Sequence, residues 1–212
     1  MQKELLRWVA IAALAGATGA CALSEDKVAI DYIAPDGVET VPGAAAVTLE
    51  VKGADERAQY RDRVSTKKNG YGMEMARIIA TNDVVDLVRS GVEQGLRAEG
   101  FTIGSSGLTV SIELQNFYNN FKAGLASGLA VAEVAFALKV RNASGALLYS
   151  KFYSATGTVD GIMLASGANA KAALEKATSM AVKTVMDDKA LQDALIATAK
   201  PKPKAGARRP GA

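Results

Sequence analysis

The sequence contains no histidine and a single cysteine among its 212 residues. Histidine is the commonest metal ligand and general base near neutral pH, so its absence removes the most frequent acid–base chemistry of enzymes. A lone cysteine cannot form an internal disulfide, so an exported domain with this sequence must be stabilised by its core alone. The sequence also lacks a G-x-S-x-G motif and a glycine-rich phosphate loop. We therefore expect a protein that is not an enzyme and that holds no metal or cofactor.

The first 20 residues have the features of a secretory signal peptide. Lys3 and Arg7 precede an uncharged run of apolar and small residues, Trp8–Thr18, and further small residues lead to Cys21. This run is too short to cross a bilayer as a helix, which needs about 20 apolar residues. We therefore assign residues 1–20 to a signal peptide and exclude them from the fold.

Cys21 indicates what kind of signal this is. The segment Thr18–Cys21, TGAC, resembles the bacterial lipobox, in which the cysteine is acylated and becomes the first mature residue, although Thr18 stands where leucine is usual. Two alternatives remain open: Ala20-Cys21-Ala22 also fits the A-x-A rule of ordinary signal peptidase, and a lone cysteine can be a buried thiol. The lipobox interpretation predicts an N-acyl and S-diacylglycerol lipid on Cys21, and two or three acyl chains anchor a protein stably where one does not. Ala22 after the cysteine, rather than aspartate, is typical of sorting to the outer membrane.

The net charge of +3 is unevenly distributed along the chain. Without the segment before Cys21 and the last thirteen residues, 18 basic and 21 acidic residues remain, so the body is slightly acidic and no nucleic-acid partner is expected. The end of the chain, KPKPKAGARRPGA, favours extended and solvated backbone. We predict a disordered basic tail over residues 199–212 that either contacts anionic lipid or an acidic envelope polymer, or serves as a solubilising end.

The first half of the remaining chain predicts a tether, two strands and a helix. Residues 21–43 carry scattered charges and two prolines without a sustained period, which predicts a lipidated N-terminus followed by a flexible tether. Strand composition appears at residues 45–51 and 76–81, and the polar segment between them, residues 53–72, is expected to be a long exposed loop. Asn82 is the expected N-cap of a helix with an apolar stripe (Val84, Val88, Val92 and Leu96) that ends at Gly100.

The second half alternates in the manner of an antiparallel sheet and ends in helices. Polar and apolar residues alternate over residues 108–115 and 134–140, and a turn at 142–145 predicts a hairpin with residues 146–157. Asn169 is the expected cap of the next helix, and a short helix follows near residues 189–198. The fold class is therefore α+β: a two-layer sandwich over residues 44–198, with a largely antiparallel sheet and helices packed on one face.

Three stretches resemble the YajG-like family of Gram-negative outer-membrane lipoproteins. They are VTLEVKGADER (residues 47–57), VVDLVRSGVEQGLRAEGF (residues 84–101, followed by LTVSIELQNF) and NAKAALEKATSMAVKTVMDDKALQDAL (residues 169–195). GADER, which resembles the family's GADxR, is the most specific of these features. The resemblance implies a lipid-anchored protein on the periplasmic face of the outer membrane, and it implies no defined molecular activity.

Two groups of residues are candidates for binding a partner. Asp55, Glu56 and Arg57 form the densest charge cluster near a strand end, which is either a binding site or a solvated loop with local ion pairs. The aromatic residues of NFYNNF (Phe117, Tyr118 and Phe121) stand beside the small apolar segment Ala123–Ala132, which is either an exposed patch or a packed hairpin connection.

The sequence favours a non-catalytic binding or assembly module, held at the membrane by its lipid and in contact with an envelope protein. The alternative is an accessory lipoprotein of a lipid transport or export machine that holds a partner or an acyl chain. An enlarged apolar cleft between sheet and helices would favour the alternative, and a solid core would favour the binding module.

Overall fold

Eight strands form one sheet, and three helices pack on one of its faces, in the part of the chain that the structure describes. The structure is a computed structural model that describes residues 24–34, 37–69, 71–124 and 127–197. The strands are β1 (Asp26–Val28), β2 (Thr48–Asp55), β3 (Ser65–Lys68), β4 (Glu74–Ala80), β5 (Thr102–Ile103), β6 (Leu108–Lys122), β7 (Gly128–Arg141) and β8 (Leu147–Ile162). The helices are α1 (Val84–Ala98), α2 (Gly167–Met186) and α3 (Lys189–Ile196). Among these described elements, no helix combines the length and the apolar character that a membrane crossing requires.

The long strand β6 organises the sheet. On one edge it pairs along its whole length with β7, antiparallel, and β7 pairs in the same way with β8. On the other edge, two shorter strands lie end to end: β2 runs parallel to the first half of β6 as far as Leu114, and β3 pairs with it at Asn119. Neither β2 nor β3 pairs with β6 between Leu114 and Asn119. We call this interval the sheet split.

Alternate residues of the long strands enter the core between sheet and helices. On β6, the side chains of Leu108, Val110, Ile112 and Leu114 are buried, as the alternation predicts. They meet helix α1, whose predicted stripe is buried from Val84 to Leu96, and helix α2, which covers β7 and β8. The predicted α+β two-layer sandwich with a mostly antiparallel sheet is therefore confirmed.

The N-terminal part of the described chain is packed on the domain, where the sequence predicted a flexible tether. Strand β1 pairs in parallel with β4, and Ile30 is buried in the core. The side chain of Asn82 fixes Ile30 by accepting from its N–H and donating to its carbonyl, both at 2.9 Å. The expectation of a tether up to residue 43 is thus wrong for residues 24–34, because backbone pairing and an apolar anchor hold them. Cys21 and the predicted signal peptide lie outside the described residues, as do residues 199–212.

The segment predicted as a long exposed loop contains ordered strand. Strand β2 continues to Asp55, and β3 forms within the segment, with Ser65, Thr66 and Lys67 all buried. These polar side chains have partners: Ser65 donates to the carbonyl of Asn119 at 2.8 Å, and Lys67 pairs with Asp26 at 2.7 Å. Polar composition concealed this strand because its burial depends on partners more than 40 residues away.

The helix ends follow the predicted capping chemistry with small shifts. Asp83, not Asn82, caps α1 and accepts from the N–H groups of Val85 and Asp86. Gly100 adopts a positive φ of 95°, and Phe101 donates its N–H back to Leu96, which gives the glycine-ended terminus that the sequence predicts. Ser166, not Asn169, caps α2.

Candidate functional site

The sheet split is filled by the segment between β2 and β3. At one end, the N–H of Glu56 donates to the carbonyl of Leu114 at 2.8 Å. At the other end, the N–H of Asn119 donates to the carbonyl of Val64, also at 2.8 Å. The segment therefore replaces the missing strand partner at both edges of the split, which satisfies backbone groups that would otherwise lack a partner.

Arg57 is the buried charged residue of this segment. Its side chain is 6% exposed, and its Nε and Nη2 donate to the two carboxylate oxygens of Asp55 at 2.9 and 2.8 Å. Its Nη1 donates to the carbonyl of Tyr60 at 3.3 Å. The hydrogen bonds from Arg57 hold the pKa of Asp55 below its usual range. A guanidinium with this set of partners is a structural element that fixes the segment, because arginine matches a carboxylate in a two-point geometry.

Two further arginines stand at the surface of the same segment. Arg61 donates from Nε to the carbonyl of Arg57 at 2.6 Å and from Nη2 to the carbonyl of Asp55 at 3.0 Å, while its side chain remains largely exposed. Arg63 pairs with Asp62 at 3.2 Å and lies over the ring of Tyr60, 5.7 Å from its centroid. Both cations are thus held in place and reach solvent.

Tyr60, whose ring lies under Arg63, has an unusual backbone conformation. Among the described residues it is the one non-glycine residue with a positive φ, 56°. Its ring stacks on Tyr118 of β6 with centroids 4.1 Å apart, and the hydroxyl of Tyr118 lies 3.1 Å from that of Thr66. A non-glycine residue in this region costs of order 1–3 kcal/mol, and such residues cluster at functional sites.

An open cleft of about 220 Å³ lies beside this segment, at the N-terminal end of α1. We call it the arginine cleft. It is lined by Arg57, Arg61, Asp62, Arg63, Val64, Ile79, Ala80, Asn82, Asp83 and Val84. Pockets for drug-sized ligands are typically larger, about 300–1,000 Å³, so the cleft has the size for one side chain or small polar group. Arginine, which supplies three of the lining residues, is among the residue types that contribute most to protein interfaces.

The three residues of the predicted charge cluster have two different environments. Asp55 and Arg57 form the ion pair described above, in which Arg57 is buried and Asp55 partly exposed, and Glu56 is exposed to solvent. The local ion pair that the loop interpretation expects is present, but Arg57 is buried and not solvated.

Of the three predicted aromatic residues, two lie in the core and one lies on the other face of the sheet. Phe117 and Phe121 are buried in the core, so neither is available to a partner in this fold. Tyr118 faces the other side of the sheet and joins the site through its stack on Tyr60. The neighbouring apolar segment is mainly strand β7, with Ala130 and Ala132 fully buried, and residues 125–126 lie outside the description. Burial therefore excludes the exposed-patch alternative for Ala130 and Ala132, whereas Ala123 and Gly124 are exposed before β7 begins.

Sequence reasoning missed Tyr60, Arg61, Arg63 and Asp83 as members of the site. The repetition of arginine at positions 57, 61 and 63 is a signal in the sequence, but it also fits an exposed loop. The split in the sheet turns that segment into the wall of a cleft, and it arises from long-range pairing that local patterns do not contain.

The structure gives a physical reason for the GADER motif. A side chain at Gly53 would place Cβ 2.8 Å from Cγ1 of Val85, so the glycine allows the first turn of α1 to approach β2. Asp55 and Arg57 form the ion pair that fixes the segment bridging the split. A family model described as uncharacterized lipoprotein matches residues 35–196, which include this motif. The chain belongs to the YajG-like lipoproteins.

Solved structures similar to this YajG-like lipoprotein come from other bacteria. A protein from Xanthomonas campestris matches with a TM-score of 0.53 and 13% identity over 77% of this chain and 92% of its own, and this likeness supports the fold. A candidate lipoprotein from Caulobacter crescentus matches with a TM-score of 0.43 and 16% identity over 66% of this chain and 92% of its own. No curated protein matches the sequence.

Proposed function

We propose that this YajG-like lipoprotein is a non-catalytic binding module, anchored through an acylated Cys21 on the periplasmic face of the outer membrane, that holds an envelope protein at the arginine cleft. The observation that carries the proposal is the construction of the cleft. The ion pair between buried Arg57 and partly exposed Asp55 fixes the segment 56–64, and that segment presents Arg61, Arg63 and Tyr60 at the surface. Residues held in this way lose little conformational entropy on binding.

The charge of the cleft indicates the chemistry of the partner. Three arginines and two aspartates line it, and Asp62 and Asp83 are already engaged with Arg63 and with the start of α1. Arg61 is the most exposed of the lining cations that we describe, so it is the group most accessible to a carboxylate. We expect the partner to place an acidic side chain beside Arg61 and an apolar or aromatic group against Tyr60.

The packing between sheet and helices favours this function over the transport alternative. A protein that holds an acyl chain between its sheet and its helices needs an apolar cavity between them. In the described residues, the facing positions on α2 and β7 (Leu174, Ala177, Ala181, Phe136 and Leu138) are all fully buried against one another. The alternative would therefore have to use a surface outside this core.

Metabolic labelling tests the anchor. Cells that express the chain are supplied with labelled palmitate, and we expect the label on the natural sequence and not on Cys21→Ser. Equal labelling of the two forms would overturn the assignment of Cys21. Separation of inner and outer membranes in the same cells tests the proposed address.

Crosslinking in living cells tests the binding site. A photo-crosslinking residue in place of Gln59, which is exposed in the segment 56–64, is expected to capture a discrete envelope protein. The matched control is the same residue in place of Ser150, which is exposed on β8. Arg61→Ala should weaken the Gln59 crosslink without changing the amount of the chain in the membrane. A crosslink of equal strength from both positions, or none from Gln59, would refute the proposal.

A further inference from the structure

The described chain begins at one end of the sheet, and this end can be identified from strand directions. Strand β1 runs parallel to β4 with Asp26 opposite Ile78, so the residues before Asp26 lead toward the turn that joins β3 to β4. The carbonyl of Ser24 accepts from Lys67 of β3 at 2.9 Å, which fixes this direction. We call this the anchor end of the domain.

The anchor end carries the three most exposed large apolar side chains of the described residues, Tyr71, Met163 and Leu164, together with the exposed Met73. Tyr71 is 92% exposed and Met73 58% exposed in the β3–β4 turn, and Met163 is 79% and Leu164 75% exposed just after β8. The two groups lie at the same end because β8 finishes there: Ile162 is opposite Gly128, the first residue of β7. The N–H of Gly167 donates to Asp26 at 2.7 Å, which ties the segment after β8 to β1.

The β3–β4 turn holds its apolar residues in a defined geometry. The side-chain oxygen of Asn69 accepts from the N–H groups of Tyr71 and Met73, both at 3.0 Å. A side-chain oxygen that accepts from backbone two residues ahead forms a turn without help from other elements. The exposure of Tyr71 is therefore built into the turn and exists before any partner binds.

The number of residues between Cys21 and Ser24 indicates what the anchor end faces. Three peptide units separate Ser24 from Cys21, and a fully extended chain spans at most about 3.6 Å per residue, so the two residues are within roughly 11 Å of each other. An acyl anchor on Cys21 would hold the anchor end within that distance of the bilayer surface. A tether of 22 residues, as the sequence suggested, would leave the orientation open.

We propose that the anchor end is a membrane-contact surface, on which Tyr71, Met73, Met163 and Leu164 enter the interfacial layer of the bilayer and fix the orientation of the domain. This rests on the anchor at Cys21 and is independent of the arginine cleft. The charges at this end are mixed: Lys68 is opposite Glu74, and Lys122 and Asp160 lie near the ends of β6 and β8. Apolar burial, rather than attraction to anionic lipid, therefore drives the contact, with tyrosine suited to the interface.

The single cysteine and single tryptophan of the sequence make a direct test. The chain from Cys21 to Ala212, which contains every described residue, lacks tryptophan because Trp8 precedes it. Coupling of Cys21 to a maleimide lipid in phosphatidylcholine vesicles supplies the anchor chemically, so the test does not depend on natural acylation. The Tyr71→Trp probe is compared with Leu147→Trp. Leu147 is also exposed (51%), but it pairs with Arg141 at the end of the sheet that is farthest from the anchor end.

We expect the tryptophan emission of the Tyr71→Trp protein to shift to the blue when the protein is coupled to vesicles. Lipids brominated in their acyl chains should quench this emission several-fold more than they quench the emission of the Leu147→Trp protein. The quenching should persist at high salt, and Met163→Ser with Leu164→Ser should reduce it. Equal quenching of the two probes, or none of the Tyr71→Trp probe in coupled vesicles, would overturn the proposal. Quenching that requires anionic lipid and disappears in salt would equally contradict an apolar contact.

Discussion

At the scale of single residues, Asp188 is the most heavily hydrogen-bonded carboxylate that the structure describes. Its Oδ2 accepts from Lys151, Tyr149 and Tyr153 at 2.6, 2.7 and 2.8 Å. Its Oδ1 accepts from the first N–H groups of α3. Burial acts to raise the pKa of Asp188, but the hydrogen bonds from Lys151 and the two tyrosines outweigh it and hold the pKa well below its usual range. One residue thus caps a helix and attaches it to β8.

Asp188→Asn should lower the free energy of unfolding by about 2–4 kcal/mol at neutral pH, because the amide leaves buried donors without an acceptor. The neighbouring Asp187→Asn is the matched control, since Asp187 is exposed and pairs with Lys183 at the surface. A carboxylate with a lowered pKa stabilises the fold above the pKa of the unfolded chain, near 3.9, and loses that effect as the pH falls. Urea unfolding from pH 7 to 3 should therefore show the difference between Asp188→Asn and the natural chain shrinking below about pH 4. Equal effects of the two variants would contradict this role.

The pKa of Glu99, at the end of α1, is shifted in the opposite direction from that of Asp188. Burial raises its pKa to about 7, against the hydrogen bond that Gln192 donates to it at 2.7 Å and against the positive charge of Lys189. The folded chain therefore binds a proton that the unfolded chain releases near pH 4.5, so stability falls as the pH rises through this range.

Glu99→Gln should remove this loss, because the amide stays neutral and can still accept from Gln192. One pKa unit corresponds to about 1.4 kcal/mol, so the variant should gain on the order of 2–3 kcal/mol relative to the natural chain between about pH 5 and 8. Unfolding in urea at both pH values measures this. A constant difference between the two proteins across the range would show that Glu99 is ionised in the fold.

At the scale of elements, the crossing of α2 over β8 depends on one glycine. A Cβ at Gly157 would meet the carbonyl of Ala173 and the N–H of Ala177, which are backbone groups of the helix. Small residues on α2, Ala173, Ala177 and Ala181, complete the close contact. Backbone groups cannot move aside as a flexible side chain can. The contact at Gly157 therefore fixes the distance between α2 and β8.

Gly157→Ala should therefore destabilise the domain by about 1–3 kcal/mol, the range of an overpacked core. Ser154→Ala, on an exposed position of the same strand, is expected to change stability by a few tenths of a kcal/mol at most. Thermal unfolding of both variants gives the comparison. If the Gly157→Ala protein proved as stable as the control, α2 would not lie as close to β8 as described.

The sequence predicted the elements whose signals are local. The stripe of α1, its glycine-ended terminus and the hairpin turn at 142–145 follow from neighbouring residues, and the structure confirms them. Strand β1 was missed because only its pairing with β4, far along the chain, identifies its three residues as a strand. Strand β3 was missed because its sequence is polar and the side-chain partners Asn119 and Asp26 lie far away in the chain. The cap of α1 was misplaced by one residue because Asn82 and Asp83 are both good capping residues, and Asn82 is required by Ile30 instead.

The candidate site shows the same division. The charge cluster at Asp55–Arg57 marked its position in the sequence, and the resemblance to the YajG-like family singled out the same motif. The stacking of Tyr60 on Tyr118 could not be predicted from the sequence, because it depends on the position of the sheet split. Local chemistry therefore located the site, and topology determined its shape.

At the scale of the whole molecule, the sheet split divides the fold into two units that share one strand. The unit of β1, β3 and β4 meets β6 at Ser65, whereas β2 is paired with it along Leu49–Asp55. Local unfolding follows such weakly connected boundaries. Native-state hydrogen exchange should thus show residues 65–80 opening at lower free energy than residues 108–122, and uniform protection would contradict it. The smaller unit is also the one at the anchor end, so the part of the domain nearest the membrane would be the part free to rearrange while the rest stays folded.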